Sequence, residues 1–80
     1  MGVEPKARLP FFLEYDMQPF QQRVVDEMNE LAAKDDKLKA FFSTTVFAGL
    51  PADEQARLRR QQLHMAGYLN VLRERIAAFS

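Results

Sequence analysis
His64 is the single histidine of the chain, and there is no cysteine. A thiol nucleophile, a thiolate zinc site and a histidine-based metal cluster therefore each lack their first ingredient. A His–His acid–base pair is excluded for the same reason. His64 stands between Leu63 and Met65, the setting of a helix-surface or boundary histidine. Neither Ser43 nor Ser80 has a His–Asp arrangement near it in sequence, and three scattered glycines make no phosphate loop. Carboxylates are abundant but form no pattern beyond solubilising charge. These residues point away from an enzyme.

What remains for chemistry is arginine and aromatic rings. Residues 51–80 hold Arg57, Arg59, Arg60, Arg73 and Arg75 against Asp53, Glu54 and Glu74, whereas residues 20–50 hold four bases against five acids. The guanidinium fork suits phosphate oxygens, and it suits the carboxylates of a neighbouring subunit. Arg57, Arg59 and Arg60 read as a solvated face. Arg73 and Arg75 lie near the end of the last helical stretch. Once that stretch folds back on the first, they join Arg23, Phe20 and Tyr68 in one region suited to anions and rings where hairpins pair. An ordinary intersubunit salt-bridge set is the other reading of the same residues.

The elements that must position these groups are helical. Asp16 is the expected cap and Pro19 the first-turn proline of a helix running to Phe42 without glycine or internal proline. Its apolar stripe is Val24, Met28, Leu31, Leu38 and Phe42, widened by Val25 and Phe41, with one interruption at Asp35. A carboxylate there must be solvated at an edge or paired with a base. Glu30–Lys34 and Asp35–Lys39 have favourable four-residue spacing. Ser43 to Leu50 breaks the helix: hydroxyl residues can cap a short turn, Phe47 and Leu50 close one end of a helical pair, and Gly49 is a stop. The second long helix is expected from Pro51 to Ala78, with Asp53 and Glu54 placed favourably in its first turn. Its stripe is Leu58, Met65, Leu69, Leu72, Ile76 and Phe79, with Gln62 as the one polar step and Leu63, Ala66 and Val71 as a second apolar flank. Gly67 costs about 1 kcal/mol inside a helix, a cost that a close helix–helix approach offsets.

The expected architecture is thus all-α: an antiparallel helical hairpin over residues 18–80 with a short connecting helix or turn. Residues 1–17, with Pro5 and Pro10, form an irregular or partly helical arm. Phe11, Phe12, Leu13 and Tyr15 in that arm dock on their own domain, or reach a neighbouring subunit or cover a ligand. Eighty residues bury only about 60–65% of the unfolded surface, and two helices bury one face each. Self-association into a homo-oligomer is the simplest remedy. Eleven bases balance eleven acids, so no single-sign field favours duplex nucleic acid. No apolar run approaches the roughly 20 residues of a membrane span. Position 6 is Lys6 where the myristoylation pattern needs Ser or Thr, and no signal-peptide apolar region is present. A soluble intracellular protein is the default expectation.

Four segments resemble a known family: QPFQQRVVDEMNELAAK at 18–34, KLKAFF at 37–42, VFAGLPADEQARLRRQ at 46–61 and MAGYLNVLRERIAAF at 65–79. Together they look like the Acb2/Tad1 hairpin domain, closest to the phage anti-CBASS type. The resemblance implies a helical hairpin that assembles, typically as a hexamer, in the cytoplasm of an infected bacterial host. It implies a sponge, without cofactor, that holds cyclic dinucleotides or related cyclic nucleotide messengers between protomers without cleaving them. The alternative is a structural or protein-interaction hairpin of phage origin. By the same resemblance Lys34 and Arg75 are the leading phosphate contacts, and Phe20, near a position where relatives often carry tyrosine, lines or stacks on the ligand. Asn29 and Asn70 are weaker candidates. Met28 stands where lysine is common, Asp35 where an apolar residue is usual, and Arg73 where glycine is frequent.

Overall fold
The structure, a computed structural model, describes residues 17–79. Its elements are α1 (Pro19–Phe41), the short α2 (Thr45–Ala48) and α3 (Ala52–Ala77), with α1 and α3 packed as the arms of a hairpin. The expected all-α hairpin with a short connecting helix is what forms. The arm expected over residues 1–17 lies almost wholly outside the described residues.

Each helix end has a local cause. Pro19 occupies the first turn of α1, as expected, but the cap is Gln18 rather than Asp16. Its backbone N–H donates to Oε1 of Gln21 at 2.8 Å. A reaching-back side chain three residues on satisfies the start of the helix, so no Ser or Asp is needed there. At the other end Thr44 caps α2: its hydroxyl oxygen accepts from the Phe47 N–H at 3.1 Å. Gly49 follows α2 at φ −86°, an ordinary right-handed conformation. Pro51 is the residue before α3, one position outside the expected start, and Asp53 and Glu54 fill the first turn.

The core lies on the predicted stripes together with Phe47 of the turn. Val24, Phe47, Leu69 and Leu72 are buried, and Met28, Leu31, Leu38, Leu58, Met65 and Ile76 are half-buried around them. Phe47 closes the hairpin's turn end, with ring centroids 4.9 Å from Phe42 and 5.8 Å from Phe41. Phe20 meets Phe79 edge-on at 6.4 Å at the open end.

Near the turn, Arg59 departs from the expected solvated face, and Gln55 takes a role that the sequence reading did not assign. The guanidinium of Arg59 sits 4.9 and 5.0 Å from the ring centres of Phe42 and Phe47, covering the aromatic end of the core. Gln55 reaches back from α3, its Nε2 donating to the carbonyls of Phe47, Ala48 and Leu50 at 3.1, 3.2 and 3.0 Å. The end of α2 has carbonyls without helical partners, and one amide gathers them. Gln55→Ala is expected to lower stability by about 1 kcal/mol, read as a lower urea midpoint with unchanged slope.

Gly67 departs from expectation. A Cβ built there meets nothing within 4 Å, so α1 makes no close approach to it. Glycine at this position is not required by the hairpin's own packing.

Candidate functional site
The antiparallel register is set by two contacts at different heights. Gln62 meets Asp35, and Phe79 meets Phe20. Arg23 therefore stands level with Arg75, and Lys34 level with Leu63. With about 100° of turn per residue, Arg23 and Lys34 lie three turns apart on one side of α1. Tyr68 and Arg75 lie two turns apart on one side of α3. Because both helices are right-handed and run in opposite directions, these two sides are the same flank of the hairpin. It carries Arg23 and Arg75 near the open end, Tyr68 further in, and Lys34 about 16 Å along the axis from Arg23. Phe20, 53% exposed, borders the open end.

These side chains are accessible. Arg23, Lys34 and Arg75 are exposed, Tyr68 is 45% exposed, and the three cations make no ion pair among the described residues. Lys34 does not take up its four-residue pairing with Glu30. Glu27 stands between Arg23 and Lys34, so the flank alternates in sign along α1 and has its cation pair at the open end. One protomer thus shows a long, shallow strip with separated cations and a ring. An anion spanning two of its cations needs a second surface to enclose it.

Arg73 projects to the opposite flank. It lies there with Lys39 and the Asp35–Gln62 pair, close enough for its charge to favour the Asp35 carboxylate. Within a protomer the structure brings Arg23, Phe20, Tyr68 and Arg75 to one side and leaves Arg73 on the other. Asn29 and Asn70 are exposed, and Asn70 donates to Glu74 at 3.0 Å.

The opposite flank holds the buried polar feature of the hairpin. Asp35 is 2% exposed. Lys39 Nζ lies 2.9 Å from one carboxylate oxygen, and Gln62 Nε2 donates to the other at 3.0 Å. The two polar breaks in otherwise apolar stripes face each other. The Lys39 hydrogen bond, then that of Gln62, hold the Asp35 carboxyl below its ordinary pKa, outweighing the upward push of burial. A folded-state pKa below the unfolded value gives stability that is present above about pH 4 and lost as pH falls through the folded value. Gln62→Leu leaves that carboxylate with Lys39 alone and is expected to cost about 1.5–3 kcal/mol at neutral pH. Acid titration of the unfolding free energy checks the sign: the gap between wild type and variant should close below pH 4.

No group of three or more His, Cys, Asp or Glu among the described residues is arranged to hold a metal ion. No described helix is long and apolar enough to cross a membrane. Among comparisons with known proteins, the Sequestin family model matches residues 18–78.

The chain belongs to the Sequestin family.

No curated protein and no solved structure gave a match. The Sequestin match is of the Acb2/Tad1 type and covers the hairpin from the α1 cap to the α3 cap, the span over which the sequence resembles that family. Membership marks a non-enzymatic protein with a nucleotide-sequestering role. The matched Sequestin span contains the whole flank of Phe20, Arg23, Lys34, Tyr68 and Arg75. It also contains Gln55, whose stapling of the turn is visible in sequence only as part of the VFAGLPADEQARLRRQ segment at 46–61.

Proposed function
We propose that this Sequestin chain sequesters cyclic oligonucleotide messengers and so antagonises a bacterial anti-phage signalling system. The family match over residues 18–78 carries the reading. The exposed flank supports it, because guanidinium and ammonium groups suit phosphates and an accessible ring suits a base. Lys34 and Arg75 are the leading phosphate contacts, with Arg23 level with Arg75. Tyr68 and Phe20 supply aromatic surface, and Arg73 acts from a second protomer. The hairpin domain, residues 18–80, assembles as a homo-oligomer, a hexamer by analogy with the family, in the cytoplasm of the infected cell. A core with four buried apolar side chains among the described residues favours assembly over a lone hairpin.

Incubation of purified protein with cyclic di- and trinucleotides, followed by denaturation and mass analysis, tests the reading. Intact ligand recovered in stoichiometric amount is expected. Linearised ligand generated by the protein would establish turnover instead. No retention of any member of the panel would leave a protein-interaction hairpin.

A further inference from the structure
The face of α3 turned away from α1 carries apolar side chains that the hairpin does not cover. Leu63 is 67% exposed and Val71 51%, and between them Gly67 offers open space. These three are spaced by four residues and centre on the side opposite Leu69, Leu72 and Ile76. The pattern about Gly67 is symmetric. Leu63 and Val71 lie four residues to either side, and Arg60 and Glu74 lie seven to either side with opposite charge. Ala56 and Ala78 lie eleven to either side. All are exposed.

We infer that this face is a two-fold interface, in which α3 of a second copy crosses antiparallel at Gly67. In an antiparallel pair related by a two-fold, a residue n positions before the crossing meets the residue n positions after it. Gly67 then meets its own counterpart, which lets the backbones approach. Leu63 packs beside the second copy's Val71, and Arg60 meets the second copy's Glu74, twice per pair. The charge complementarity selects a copy of this chain in this orientation. A parallel alignment in the same register would set Arg60 against Arg60 and Glu74 against Glu74. Arg60 makes no ion pair within the described residues. Asn70 occupies only one oxygen of Glu74, leaving the other for an incoming guanidinium. The absence of any contact at Gly67 within the hairpin is thereby explained, since the close approach comes from outside.

The same two-fold keeps corresponding flanks on one side of the pair. Tyr68 and Arg75 of both copies therefore share a surface. This inference deepens the self-association proposed above, and its test is separable from that of ligand binding.

Association is measured by sedimentation or light scattering of the full chain over a dilution series. Arg60→Glu places like charges together at two points and is expected to raise the dissociation constant at least about tenfold. Glu74→Arg should do the same, and the double variant Arg60→Glu with Glu74→Arg should restore association. Because the chain has no cysteine, Gly67→Cys gives a single thiol, and mild oxidation should yield a covalent dimer. A chain that is monomeric throughout overturns the interface, whatever calorimetry shows for nucleotides. A chain that associates but is indifferent to both charge reversals, or gives no rescue and no crosslink, overturns this face and register while leaving self-association intact.

Discussion
Leu72→Ala is expected to cost about 2–5 kcal/mol, the range for removing a fully buried leucine. Leu72 has no exposed surface at all, and it stands at the height where Val24 from α1 is also buried. A chain of this size holds about 4–12 kcal/mol in total, and its described core has only four buried apolar side chains. Few neighbours can shift to fill the space left by three lost carbons, because each also anchors one helix to the other. Chemical denaturation monitored by circular dichroism should show a markedly lower midpoint, or loss of the transition. Leu63→Ala removes the same atoms from a site two-thirds exposed. In isolated protomers it should change stability by less than about 0.5 kcal/mol. Its effect should appear instead as weaker association, which a concentration series separates from folding.

Replacing both Lys34 and Arg75 with alanine is expected to reduce nucleotide affinity by about 3–6 kcal/mol. Each charged hydrogen bond contributes about 1.5–3 kcal/mol. Groups about 16 Å apart along the flank, with no shared partner, should act additively. Each single variant should therefore lose roughly ten- to a hundredfold in affinity. Both side chains are exposed and unpaired among the described residues, so helicity and oligomer mass should stay at wild-type values. Arg57→Ala is the matched control. Its guanidinium already serves Glu54 at 2.8 Å and Asp53 at 3.6 Å, so affinity should hold. Equal losses in all three variants would mean that general charge, not a placed contact, is at work. Unchanged affinity in both Lys34→Ala and Arg75→Ala would remove these residues from the site.

Much of the hairpin is legible from spacing because amphipathic periodicity has a direct physical cause. Val24, Leu69 and Leu72 recur at helical intervals and are the residues that the fold buries. Asp35 and Gln62 were each visible as a break in a stripe, but their partnership was not. Twenty-seven residues separate them in sequence, and only the register of the folded hairpin brings them to 3.0 Å. The start of α1 misled for a related reason. Asp16 has the better intrinsic capping chemistry, yet the Gln21 side chain closes the Gln18 turn locally. Arg59 resembled its solvated neighbours until the turn placed Phe42 and Phe47 beneath it.

The candidate site was legible in composition and less so in geometry. Arg73 and Arg75 are two residues apart and appear equivalent in a list of charges. Two residues on a helix are about 200° apart, so they serve opposite flanks. Lys34 is eleven residues from Arg23, and three full turns return it to the same side of α1.

The most direct measurement is calorimetric titration of the full chain with a panel of cyclic di- and trinucleotides, with association state recorded alongside. Saturable binding of at least one member is predicted, at no more than one ligand per protomer, weakened by Lys34→Ala and by Arg75→Ala. Absence of saturable binding across the whole panel by folded, associated protein would contradict the sequestering account.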